Sequence, residues 1–276
     1  MIEIKICGIT NKKEIEYLNM LKPEYIGFVF AGSKRQVTGE KANELCLDLN
    51  NDMKKVGVFR NNSIDEILDI LGKVSLDVLQ LHGDEDEEFI CLLRKSIDKS
   101  IKVWKAISIK DIQSIKKNIA INKQLENNDG DNLIDKFLID GDNPGSGETF
   151  SLENISEYFC ENYKLGYVDD CILKKNNFFL AGGITDENVI ERIAKANPSG
   201  VDVSSGVEII DKNGIRTKSF EKMKSLIENV RNSNDQWKII NVQLKNKFLR
   251  SLVKYFIINW QLIIENWKLN KKGWEK

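Results

Sequence analysis

Two side chains of this 276-residue chain stand where acid–base chemistry could be done: Cys7, ending the run IEIKIC, and Asp140, ending KFLID. A cysteine has a reference pKa of ~8.5, so a modest shift gives a thiolate near neutral pH. A carboxyl group in a partly desolvated cleft keeps its proton and can deliver it. Arg35, in the segment GSKRQ, offers a planar fork of donors suited to a carboxylate. Each has a plainer reading when taken alone: a small buried hydrophobe, a helix cap, a solvated loop cation. His82 reads as a polar loop residue, and no catalytic role is assigned to it.

A second constellation is built of small residues. Gly182 and Gly183 follow the run FFLA, and Ser204, Ser205 and Gly206 follow VDV. Small residues let backbone N–H groups approach an anion closely, and a nearby helix N-terminus adds a favourable dipole. Two such loops point to a phosphate site, although tight turns alone would also use glycine. Gly145 and Gly147, just beyond Asp140, are expected to close over the phosphate as a lid.

These residues need elements to hold them. Short apolar runs recur: 2–7, 25–30, 55–59, 77–81, 101–107, 136–140, 178–182 and 201–205. Stretches with helical spacing follow several of them, such as Ile15, Leu18 and Leu21; Ile64, Ile67, Leu68 and Leu71; Val189, Ile190 and Ile193; Met223, Leu226, Ile227 and Val230. Continuous apolar strands alternating with amphipathic helices imply a parallel sheet covered by helices. Eight units are the count of an α/β barrel of the (βα)8 TIM type, whose active site lies at the C-terminal strand ends. A doubly wound open sheet is the alternative, because counting strands does not prove closure. Residues 117–135 and 160–177 are polar and break the rhythm; they read as enlarged loops.

The bulk numbers exclude several classes. Hydrophobic residues make up 41% of the chain. No stretch reaches the ~20 apolar residues of a membrane-spanning helix, and MIEIKICGIT does not read as a signal peptide. The five cysteines are widely spaced with no CxxC pair, and His82 is the single histidine. No metal site or disulfide framework is expected, and a reduced, cytoplasmic setting is. No nucleic-acid partner is expected.

Residues 231–276 stand apart from the barrel expected over 1–230. They hold ten Lys/Arg against three Asp/Glu and four of the five tryptophans, in a chain of net charge −1. Trp237, Ile240, Leu244, Phe248, Leu252, Phe256, Trp260, Ile263 and Trp267 step by three or four. That spacing marks one face of an amphipathic helical extension. It would dock on the barrel or on a partner subunit; a membrane-surface helix and an adventitious extension are the other readings.

Seven segments in order resemble the phosphoribosylanthranilate isomerase family: KICGIT (5–10), GFVFAGSKRQVT (27–38), VGVFRN (56–61), LQLHGDE (79–85), FLIDGDNPGSGETF (137–150), LAGGIT (180–185) and GVDVSSGVE (200–208). The resemblance covers about residues 1–230. It implies an isomerase of tryptophan biosynthesis that turns an aminoaldose into an aminoketose, with a small phosphosugar–anthranilate substrate. It puts the base at Cys7, the acid at Asp140, the anthranilate-binding arginine at Arg35 and the phosphate at the ends of strands seven and eight. The iminium intermediate withdraws electrons by itself, so no cofactor is implied. Two stretches depart from the family pattern: residues 148–152 after the glycine loop and residues 212–218 after strand eight. The alternatives are another phosphosugar barrel, such as the indole-glycerol-phosphate synthase or the histidine-pathway isomerase, and a degenerate binding barrel acting as a scaffold.

Overall fold

The computed structural model describes residues 1–108, 133–141, 178–210, 212 and 214–233. Eight parallel strands close into a barrel in sequence order: β1 (Glu3–Cys7), β2 (Tyr25–Val29), β3 (Lys54–Phe59), β4 (Val78–Leu81), β5 (Lys102–Ser108), β6 (Lys136–Asp140), β7 (Phe178–Leu180) and β8 (Gly200–Val203). β8 pairs back onto β1, with Lys5 opposite Asp202 and Ile6 opposite Val203. Closure decides against the open doubly wound sheet. The apolar runs therefore formed strands within one or two residues of their expected bounds.

Around the sheet lie α1 (Lys12–Leu21), α2 (Gly39–Cys46), α3 (Ile64–Leu71), α4 (Glu87–Ser96), α5 (Val189–Ala196) and α6 (residues 220–233). The first four start on side-chain caps: Asn11, Thr38, Ser63 and Asp86 each accept a backbone N–H from the helix's first turn. Such caps satisfy N–H groups that lack a partner within the helix. At α3, Ser63 and Glu66 form a reciprocal capping box.

Two apolar cores result from the period-two alternation of the strands. One lies between sheet and helices, where Ile4, Ile6, Ile26, Phe28 and Leu79 meet Ile15, Leu18, Ile67, Val189 and Ile193. Met223, Leu226, Ile227 and Val230 of α6 are buried in the same core. Burying each such side chain contributes roughly 1.5–3 kcal/mol. Ile190 departs from the expectation and is 40% exposed. Val189 and Ile193, four residues apart, share the buried face of α5, and Ile190 lies about 100° round from Val189.

The second core fills the barrel interior with Cys7, Tyr25, Val56, Val58, Val78, Trp104, Ala106, Leu138, Phe179 and Ala181. At the N-terminal strand ends, Tyr25, Trp104 and Phe179 pack ring against ring, with centroids 4.8–5.6 Å apart. The Lys136 ammonium sits 4.8 Å from the Phe179 centroid and within 5.7 Å of the other two. Glu3 pairs with Lys136. This end of the barrel is plugged.

A two-stranded antiparallel hairpin, β9 (Glu208–Ile210) with β10 (Arg216–Lys218), follows β8. Nothing in the apolar pattern announces it, because each strand has only three residues. Most of the 117–135 segment, all of 160–177, and residues 234–276 with their helical expectation lie outside the described residues. Among those described, no helix is long and apolar enough to cross a membrane.

Candidate active site

The C-terminal strand ends surround a cavity of about 180 Å³. Its lining includes Cys7, Arg35, Asp140, Gly182, Gly183, Ser204, Ser205 and Gly206, which the sequence had singled out. It also includes Arg60, Gln80, His82 and Asp202, which it had not. Gly145 and Gly147, the expected lid, lie outside the described residues. No group of three or more His, Cys, Asp or Glu side chains able to hold a metal occurs among the described residues.

Cys7 is the last residue of β1 and points into the barrel, where it is buried. Its neighbour across the β1–β2 ladder is Gly27. A methyl group at Gly27 would come within 2.7 Å of the Cys7 sulfur, so glycine there makes room for the thiol. Burial pushes the thiol pKa up; the ammonium groups of Lys5 and Lys218 act in the opposite direction. Lys5 lies two residues earlier on the same face of β1 and donates to Asp202 Oδ1 at 2.9 Å.

Asp140 ends β6 and is also buried. Its Oδ1 accepts the Gly141 N–H at 2.7 Å. Its Oδ2 lies 3.2 Å from His82 Nε2, and His82 Nδ1 lies 3.0 Å from Gln80 Nε2. The Gln80 contact sets the ring tautomer. The Gln80 amide nitrogen can only donate, so Nδ1 accepts from it and Nε2–H donates to Asp140 Oδ2. His82, given no catalytic role above, thus touches the candidate acid. The sequence signal was its place at the end of strand four.

Arg35 does not present an unoccupied fork. Its Nε donates to Glu208 Oε1, and its Nη2 donates to Glu208 Oε2 at 2.7 Å. Lys218 Nζ reaches the same carboxylate at 2.8 Å, along with Ser204 O at 3.0 Å and Ser204 Oγ at 3.3 Å. Ser204 Oγ in turn donates to the Cys7 carbonyl at 3.0 Å. Burial would raise the Glu208 pKa, yet Arg35 and Lys218 outweigh it and hold the carboxyl below its ordinary value. Lys218 comes from the 212–218 stretch that departs from the family pattern. The hairpin register brings it opposite Glu208.

The β7 and β8 ends meet closely. Gly182 and Gly183 have φ of 77° and 60°, in the left-handed region that favours glycine. A Cβ on Gly206 would collide with the Ile184 carbonyl. Ser205–Val207 form one 3-10 turn just after β8. The two loops therefore present closely approaching backbone to one side of the cavity, as an anion requires.

Comparisons with known proteins agree with the barrel fold. Residues 4–229 match the family model for N-(5'-phosphoribosyl)anthranilate (PRA) isomerase. An N-(5'-phosphoribosyl)anthranilate isomerase of Clostridium beijerinckii is 56% identical over 235 residues, covering 84% of this chain and 98% of that protein. One from a Thermoanaerobacter species is 40% identical over 231 residues, with the same coverage. The crystal structure of phosphoribosyl anthranilate isomerase from Thermotoga maritima aligns with a TM-score of 0.66 at 29% identity, over 84% of this chain and all of that one. A further structure of such an isomerase, in complex with reduced 1-(o-carboxyphenylamino)-1-deoxyribulose 5-phosphate, aligns at 0.63 and 27%, with the same coverage.

Proposed function

The chain belongs to the N-(5'-phosphoribosyl)anthranilate isomerase family, and from that premise we propose that Cys7 is the base and Asp140 the acid of its reaction. The reaction is the isomerisation of a phosphoribosyl–anthranilate aminoaldose to the aminoketose, a step of tryptophan biosynthesis. The observation that carries the assignment is that Cys7 and Asp140, from β1 and β6, face one cavity together with the small-residue ends of β7 and β8.

Asp140 protonates the furanose ring oxygen; the C1′–O bond breaks, and the anthranilate nitrogen becomes an iminium. The Gly141 N–H on Oδ1 and the His82 ring at Oδ2 hold the Asp140 carboxyl group in place. The Cys7 thiolate then takes the C2′ proton, and the electron pair forms the C1′–C2′ double bond of an enolamine. Protonation at C1′ and loss of the 2′-hydroxyl proton give the ketone. The phosphate is held by the backbone at Gly182, Gly183, Ser205 and Gly206. Glu208 occupies the Nε–Nη2 edge of Arg35, so the anthranilate carboxylate meets the remaining Nη1–Nη2 end of the guanidinium. Both ends of the substrate are thereby fixed while its centre reacts.

Turnover, followed by the loss of anthranilate fluorescence, tests these roles. Cys7→Ala and Asp140→Asn are each expected to lower kcat by about 10²–10⁴-fold, while the reduced product analogue still binds. Full turnover in either variant would remove that residue from its role.

A further inference from the structure

A buried charge beneath the cavity has no part in the steps above. The interior of a barrel of this kind is ordinarily filled by layers of branched apolar side chains. Here Lys5 occupies one of those positions and is fully buried. A buried ammonium is costly to keep unless it is paired and hydrogen-bonded. Its carboxylate partner is Asp202, directly opposite on β8, which takes one of three available N–H donors. Cys7, two residues on along β1, lies on the same inward face of the strand, and the ammonium favours its ionised form. Asp202 and Cys7 both line the cavity.

We propose that Lys5 is a positioning residue for the reaction: held in place by Asp202, its ammonium is the counter-charge that receives the Cys7 thiolate. With Cys7 protonated, Lys5 and Asp202 balance each other. When the thiol ionises, the sulfur is the second anion facing a donor already in place, and no water needs to reorganise around it. The inference rests on the reading of Cys7 as the base.

The other charged groups around Cys7 are differently committed. Lys218 and Arg35, from β10 and the loop after β2, are both engaged by Glu208. Asp140, His82 and Arg60 stand across the cavity from β6, β4 and the loop after β3. Burial opposes the charge on Lys5, but Asp202 and Cys7 outweigh it and keep its pKa raised. On Cys7 the two members of the pair act with opposite signs. Lys5 favours the thiolate, and Asp202 opposes it.

Those signs give the test. The full chain, without ligand, is alkylated with iodoacetamide at one neutral pH, and modification of Cys7 is followed by peptide mass. Lys5→Met is expected to slow alkylation roughly tenfold to thousandfold, the effect of moving a thiol pKa up by about 1–3 units on losing a neighbouring charge. Asp202→Asn is expected to speed it. A purely structural Lys5 predicts the reverse for Lys5→Met, since a loosened barrel exposes the thiol; unchanged or faster alkylation overturns the proposal. If Lys5→Met does not fold, the double variant is compared with Asp202→Asn alone, where removing Lys5 strands no carboxylate. Slower alkylation in the double variant supports the proposal, and an equal or faster rate overturns it. Full turnover in Cys7→Ala would instead sink the reading of the base, and alkylation would still report the Lys5 contact.

Discussion

Glu208 is not among the residues lining the cavity, yet it holds one that is. It binds the Nε–Nη2 edge of Arg35 and is itself bound by Lys218. A hydrogen bond to a charged group is worth about 1.5–3 kcal/mol, so Glu208→Gln is expected to raise KM by roughly tenfold or more. The effect on kcat should be smaller, because the reacting carbons lie elsewhere; steady-state kinetics separates the two. The same link sets a pH dependence. The folded-state pKa of Glu208 is depressed, so its contribution is present above the ordinary glutamate value and lost as pH falls through the depressed one. KM is expected to climb on that acid side, and in Glu208→Gln this limb should vanish. Arg35 was legible in one dimension as a carboxylate binder, but its partner was not. Glu208 stands 173 positions away, and only the turn of the hairpin brings Lys218 to it. At the other end of the cavity, His82→Asn removes the partner of Asp140 Oδ2. A fall in kcat of about 10–100-fold with little change in KM is expected, on the same hydrogen-bond scale.

Among the elements, the β1–β2 ladder carries a steric condition. Gly27 lies opposite Cys7, and its missing side chain is the space the sulfur fills. Gly27→Ala changes no polar group and forces the thiol to shift. A misplacement near 1 Å can cost on the order of 10²-fold in rate. Turnover of this variant should therefore fall, while the phosphate-dependent binding of product analogue persists. The eight strands were readable because a parallel barrel buries both faces of its strands and leaves continuous apolar runs. The helices α1, α3, α5 and α6 were readable from their periodicity, except where α5 exposes Ile190. The β9–β10 hairpin left no such trace: Ile209, Ile210 and Ile215 are exposed, so burial imposed no pattern on them. The closeness of Gly206 to Ile184 was equally silent, because a contact between two loop backbones leaves no periodic signature.

For the molecule as a whole, α6 marks where the barrel must be complete. Met223, Leu226, Ile227 and Val230 are all buried. At roughly 1.5–3 kcal/mol each, their loss would consume much of a typical net stability of about 5–15 kcal/mol. We propose that the barrel ends with this helix and that the tail adds no chemistry. A chain ending after Ser233 is expected to fold and turn over like the full protein, whereas one ending before residue 220 should fail to fold; circular dichroism and turnover together check both. The plug of Tyr25, Trp104, Phe179 and Lys136 has a consequence of another kind. Among the described residues it closes the N-terminal end of the barrel, away from the cavity. With the proposed roles, the hydrogen taken from C2′ by Cys7 meets no solvent from that end and is expected to be handed on to C1′. Substrate deuterated at C2′ should deliver part of its label to C1′ of the ketose, as mass spectrometry of the product would record.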